Sequence, residues 1–286
     1  FPKTLDGLLD QDMKLDFDYE LIVVDNNSSD DTKGMIQSYE AKFAGRLRYL
    51  FEARQGKAIA LNKGIEAAQG DVLVFTDDDV VLDRRWLFSI LECFEKYHCD
   101  GVGGRILPLY RQDTPRWIKD NAEFLAGPIG LYDYGTEHKK YQKPMYEFFG
   151  ANFAFRREVF DECGLFRTDI GQGNATQGED TEYTKRVFRA GKNLFYCGSA
   201  VVLHQVHWKR ITLGYIARWN IALGRYRVIV DEQGKIDPGL VCWFGIPRYL
   251  IGQILRDGLR AILYVFNRRK FLGVWISLAR NWGRAL

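Results

Sequence analysis

The chain contains no run of about 18 apolar residues, so nothing in it reads as a membrane-spanning helix. It carries only five cysteines, Cys93, Cys99, Cys163, Cys197 and Cys242, scattered and without a Cys-x-x-Cys pair. That count, together with the absence of a signal-peptide pattern, predicts buried thiols in a reducing cytoplasm. No internal repeat or low-complexity tract is found. With 47% hydrophobic, 14% aromatic and 27% charged residues, a disordered or collagen-like chain is excluded. The nearest thing to a phosphate loop, Arg54-Gln55-Gly56-Lys57, lacks the Walker spacing. Gly101-Val102-Gly103-Gly104 precedes a strand where a dinucleotide loop would follow one, so a Rossmann fingerprint is rejected.

What is present is 286 residues, enough for one large α/β domain with an appendage. The net charge of +3 conceals an asymmetry. Residues 1–204 hold 26 Lys/Arg against 33 Asp/Glu, whereas residues 205–286 hold 14 against 4. A basic, tryptophan-bearing tail suits an anionic membrane surface or a solvated face, and no nucleic-acid motif accompanies it.

Glu20–Val24 is a short β-branched run that ends at Asp25 and the turn formers Asn26-Asn27-Ser28-Ser29-Asp30. Leu47–Phe51 and Asp71–Phe75 read as further strands, with a helix over Lys57–Ala68 between them. Strand, helix, strand with nearly continuous apolar strands implies a parallel sheet covered on both faces. Asp83 is placed to cap a helix whose face carries Trp86, Leu87, Ile90, Leu91 and Phe94. Val102–Leu107 is a strand, Pro108–Pro144 an irregular excursion, and Tyr146–Phe155 an aromatic strand broken at Gly150-Ala151-Asn152. A helix from about Gly178, a strand over Leu194–His204 and helical segments complete the chain.

Ligands of open α/β sheets gather beyond the carboxyl ends of strands. Two strands here end in carboxylates: Asp25, and Asp77, Asp78 and Asp79 after Phe75 and Thr76. Three adjacent ionised carboxylates repel one another unless a cation intervenes, and oxygen ligands select a hard ion, Mg²⁺ or Mn²⁺, that bridges to phosphates. An acidic surface loop is the plainer alternative. Gly178-Glu179-Asp180 opens a helix with an apolar side of Tyr183, Val187 and Phe188. A carboxylate there is either a capping group or a general base. His204 and His207 close the last strand beside Leu203 and Val206, where packed histidines and metal ligands are both open readings.

In order and spacing, these segments resemble the family 2 glycosyltransferases of the GT-A fold. The matching stretches are Tyr19–Asp30, Gly56-Lys57-Ala58 through Leu61–Gly64, Gly70-Asp71 through Phe75–Asp79, Gly150-Ala151-Asn152 and Gly178-Glu179-Asp180. The resemblance implies a mixed, mainly parallel sheet flanked by helices over residues 1–210; the composition of residues 211–286 adds a helical, basic and amphipathic appendage. The resemblance also implies an inverting, metal-dependent transfer from a nucleoside-diphosphate sugar, a UDP-sugar first, to a hydroxyl of a glycan or lipid-linked acceptor. Asp180 would be the base and Glu179 would orient the acceptor. Asp25, Arg54, Lys57, Asp77 and Asp78 would contact the donor. Asp79 would hold Mg²⁺ or Mn²⁺, joined by His204, since in several members a histidine beyond the helix completes the metal site. Phe1 aligns with the helix after the family's first strand, so that strand and its nucleotide-pocket wall are expected upstream. The tail suggests peripheral attachment to the cytoplasmic leaflet, without nucleic acid as a partner. Two other readings are a sugar nucleotidyltransferase of related architecture and a non-catalytic, membrane-docked nucleotide-sugar-binding protein.

Overall fold

A computed structural model describes residues 1–12, 17–142, 147–171, 178–231 and 241–286. The chain runs α1 (Pro2–Leu9), β1 (Leu21–Asp25), α2 (Thr32–Gln37), β2 (Leu47–Phe51), α3 (Lys57–Ala67), β3 (Val72–Thr76), β4 (Val80–Leu82) and α4 (Trp86–Tyr97). It continues with β5 (Gly101–Leu109), short helices α5 (Arg116–Lys119) and α6 (Ala126–Ile129), β6 (Lys139–Lys140), β7 (Asn152–Arg156), α7 (Arg157–Cys163), α8 (Glu179–Arg189) and β8 (Leu194–Gln205). Then come α9 (Leu213–Tyr226), β9 (Cys242–Trp243), β10 (Ile246–Pro247), α10 (Arg248–Leu263) and α11 (Arg268–Ala285). The first five strands fall where the apolar runs place them, apart from the short β4. The beginning of the aromatic strand, at Tyr146, lies outside the described residues.

Two compact units result. The first comprises Phe1–Leu109, Tyr132–Gly173 and Glu179–Gln205; the second comprises Tyr110–Leu131, Asn174–Gly178 and Val206–Leu286. The excursion after Pro108 thus contributes its helical turns α5 and α6 to the second unit, where Ile118, Leu125 and Ile129 pack with Ile216, Leu272 and Ile276.

In the first unit the architecture is α/β and the strands are mixed in direction. β1 pairs with β2 in parallel, as does β5 with β8. β7 runs antiparallel to both β3 and β5, and β4 runs antiparallel to β8. The order is β3-β7-β5-β8-β4, with β6 beside β8. One core cluster joins α4 to the sheet through Trp86, Ile90, Cys93 and Phe94 with Val102, Ile106 and Val202. The other is aromatic: Phe153 stacks on Phe75 at 4.6 Å, and Tyr183 of α8 packs on Phe160 and Phe166 at 5.2 and 4.5 Å. Burying side chains of this size contributes about 1.5–3 kcal/mol each, which fixes α8 by its middle and leaves its acidic first turn to the site. Asp83 is not the cap of α4. Its carboxylate accepts from Arg85 N at 2.9 Å, and the helix starts one residue later.

Between β5 and β8 the register slips, Gly104 facing Cys197 but Arg105 facing Val201. Asn152, fully buried, spans the slip. Its amide donates to the carbonyls of Arg105 (3.0 Å) and Ala200 (2.8 Å), and its oxygen accepts from Trp86 Nε1 at 2.8 Å. Gly104 makes this possible, because a Cβ there would overlap the Asn152 amide.

Candidate active site

The site grows out of the turn between β3 and β4. Thr76 is the last residue of β3, and its hydroxyl donates to the carbonyl of Ala151 at 3.0 Å. The chain then turns through Asp77, Asp78 and Asp79 into β4. From α1, buried Thr4 Oγ1 sits 2.8 Å from the carbonyl of Asp78 and 2.9 Å from that of Val80, tying the acidic turn down by its backbone. Because β4 pairs with β8, Val80 lies opposite His204, and Gln205 N donates to the carbonyl of Asp79 at 2.9 Å. Ligand atoms of Asp77, Asp79 and His204 consequently fall within 4.8 Å of one another, with His204 Nε2 3.4 Å from Asp79 Oδ1. His204 is buried; His207 is exposed and belongs to the second unit.

Two carboxylates and an imidazole suit a divalent ion that accepts both oxygen and nitrogen, which favours Mn²⁺ over Mg²⁺ in this donor set. The residues therefore fit the ion that the sequence implies. Asp78 is exposed and is not one of the three converging ligands. Desolvation by the surrounding chain and its neighbours Asp79 and Asp77 raise its carboxyl above the ordinary range.

Lys57, at the start of α3, was expected at the nucleotide. Its ammonium lies 2.6 Å from Asp77 Oδ1, another of the residues expected at the donor. Burial works against this charge, but Asp77, Glu179 and Asp180 outweigh it and hold the amine firmly protonated. Lys57 therefore links the acidic turn to the start of α8. Asp180 Oδ2 accepts from Gly150 N at 2.6 Å, and Oδ1 accepts from Thr181 N at 2.7 Å. Burial and the adjacent Glu179 push Asp180 up to about 7, Lys57 and the two amides opposing them. A carboxylate poised near neutral pH has the proton affinity that a general base needs. Glu179 is buried at the helix start. A Cβ on Gly150 would sit 2.6 Å from Lys57 Nζ and 3.3 Å from Asp180 Oδ2, so the absence of a side chain there lets the two charged groups approach.

Asp25 closes β1. Tyr49, opposite Val23 on β2, donates to its Oδ2 at 2.8 Å, and Ser28 N donates to Oδ1 at 2.9 Å. Burial opposes the charge, but these bonds keep Asp25 below its ordinary value. Arg54 is exposed and bonded to Glu52, which it holds down at about 2 through its backbone N–H first and its side chain second. Asn26, unremarked among the turn formers, is what shapes this loop. It donates to the carbonyl of Arg54 at 2.6 Å and accepts from Gly56 N at 2.7 Å. Its position directly after the strand-ending Asp25 was the one available sign.

The sequence matches the model of glycosyl transferase family 2 over residues 1–164. Among curated proteins it is 24% identical to the glycosyltransferase AglE of Haloferax volcanii, over 93% of this chain and 84% of the relative. It is 23% identical to the glucosyl-dolichyl phosphate glucuronosyltransferase of the same organism, over 74% and 66%, and 23% identical to the succinoglycan biosynthesis protein ExoM of Rhizobium meliloti, over 72% and 62%. The chain thus spans somewhat less than two thirds of the latter two relatives. Among solved structures, S. aureus TarS residues 1–349 superposes with a TM-score of 0.55 at 12% identity, covering 96% of this chain and 86% of that one. GalNAc-T7 with UDP, GalNAc and Mn²⁺ superposes with a TM-score of 0.52 at 16% identity, covering 77% and 46%.

Proposed function

Because the chain belongs to glycosyl transferase family 2, we propose that it is an inverting transferase moving a sugar from a nucleoside-diphosphate donor to a hydroxyl acceptor in glycan assembly. The observation that carries this is the pairing of Asp180, raised to about 7 beside Lys57, with the convergent Asp77, Asp79 and His204. Asp180 takes the proton of the acceptor hydroxyl, whose oxygen attacks the anomeric carbon on the face opposite the departing nucleoside diphosphate. Glu179 orients the acceptor. Asp79 and His204, with Asp77, would hold Mn²⁺ or Mg²⁺, which when bound supplies neutralisation of the charge that develops on the diphosphate. Asp25 and Asp78 face the nucleoside, with Arg54 reaching the donor from its exposed position. UDP is the preferred nucleotide, supported by its presence in the structures of TarS and GalNAc-T7.

In the second unit α10 exposes Leu255, Leu259 and Ile262, each more than 60% accessible, next to Arg256 and Arg260. No described helix is long and apolar enough to cross a membrane. A basic helix with an uncovered apolar ridge suits the surface of an anionic leaflet, and one relative is named for glucosyl-dolichyl phosphate, a lipid-linked sugar. The reading is attachment at the cytoplasmic leaflet with a lipid-linked acceptor.

The test is donor binding and turnover measured separately. With Mn²⁺ and a panel of UDP-sugars, the Asp180→Asn variant is expected to bind donor as the parent does and to lose transfer; undiminished turnover refutes the assignment. Release of pyrophosphate from a nucleoside triphosphate would instead identify a nucleotidyltransferase.

A further inference from the structure

Two of the five cysteines, with a third beside them, meet one of the four histidines in the core under α4, away from any role in the chemistry above. Cys93 lies in α4, Cys99 between α4 and β5, Cys197 at the register slip of β8, and His138 just before β6. Ligand atoms of Cys93, His138 and Cys197 all lie within 4.8 Å of one another. The three cysteines are 0–1% exposed, and the thiol of Cys99 donates to the backbone carbonyl of Cys93 at 3.7 Å. Nδ1 of His138 is shielded from solvent and makes no well-formed hydrogen bond, its ring standing edge-on to Tyr97 at 5.7 Å.

We propose that Cys93, Cys197 and His138 form a structural site for a thiophilic divalent cation of the zinc type, with Cys99, adjacent to Cys93 but outside the converging three, drawn in as the fourth ligand. Buried free cysteines are common as small apolar side chains, but here separate stretches of chain deliver two sulfurs and an imidazole to one point. Tetrahedral zinc with sulfur at about 2.3 Å spaces its ligand atoms about 3.8 Å apart, so the three converging atoms have to draw in by at most about 1 Å. The donor set is soft, whereas Asp77 and Asp79 are hard, so the two sites sort different ions by chemistry. The cation would join α4, the segment before β6, and β8, the strand that carries His204 toward its far end.

The full chain, expressed in zinc-supplemented medium and purified under reducing conditions, is assayed by elemental mass spectrometry and after exchange with Co²⁺. The expected result is about one zinc per chain, kept in Asp79→Ala and lost in Cys197→Ser, with a near-ultraviolet thiolate-to-cobalt absorption that disappears with it. If Cys197→Ser fails to fold, His138→Ala at its half-buried position decides, because the cobalt spectrum must change. Metal-free protein with three titratable buried thiols overturns the proposal, as does a disulfide between them, or metal content and cobalt spectrum that ignore these substitutions.

Discussion

Replacing Lys57 with methionine removes a charge from beside Asp180 while keeping an unbranched side chain. Lys57 Nζ and Asp180 Oδ2 both lie within 3.3 Å of the point where a Cβ on Gly150 would stand, which puts them roughly 6 Å apart or closer. At that separation the attraction is about 0.7 kcal/mol in a water-like medium and about 2.8 kcal/mol at an effective dielectric of 20. At 1.36 kcal/mol per pKa unit, its loss raises Asp180 by about half a unit to two units. Starting from about 7, the ionised fraction at pH 7 falls from about one half to between about one quarter and one hundredth. Transfer at saturating donor and metal should drop about two- to fifty-fold at pH 7 and recover as pH rises, the limb of the log-rate profile moving to higher pH. The assay is a pH series of kcat/KM for parent and variant. A rate loss that is the same at every pH would refute the electrostatic link and leave Lys57 with a different role.

Asp180→Asn should also report through stability. Since the folded state holds Asp180 above its ordinary 3.8, its contribution is present below that value and is lost as pH rises through about 7. The asparagine variant should therefore gain thermal stability over the parent at pH 8 and gain little near pH 4, by calorimetry. Asn152→Ala strands the carbonyls of Arg105 and Ala200 and the indole N–H of Trp86, costing about 2–4 kcal/mol in a denaturant titration. His204→Ala is expected to weaken Mn²⁺-dependent UDP binding at least tenfold by titration calorimetry, while His207→Ala leaves it unchanged. Leu259→Glu in α10 should abolish co-flotation with anionic vesicles at low salt without altering UDP binding; unchanged flotation would remove the membrane reading.

Strands were legible from the sequence because β1, β2 and β3 are apolar runs stopped by turn formers, and the acidic turn was legible because Asp77–Asp79 follow such a run directly. Asp180 was legible as a helix opening but not as a raised carboxyl, since its burial and its distance from Lys57 depend on Gly150, thirty residues upstream. Periodicity tells which face of a strand is covered and says nothing about which strand lies beside it. That is why the residues by themselves left His204 and His207 both open and only the resemblance favoured His204, which the antiparallel pairing of β4 with β8 brings to the acidic turn. The cysteine cluster stayed hidden for the same reason, its members being scattered over more than a hundred positions and brought together only by the packing of α4 on the sheet.

The slip between Gly104 and Arg105 makes the imidazole's location a matter of counting. Three residues of β8, Gly198 to Ala200, are passed over before pairing resumes at Val201. Without that omission every later residue of β8 would sit three places further along its neighbour, and a residue other than His204 would face Val80. Asn152 occupies the carbonyls that the omission exposes, so one side-chain amide keeps the count. An engineered deletion within Gly198–Ala200 would displace the imidazole while leaving every acidic residue where it is.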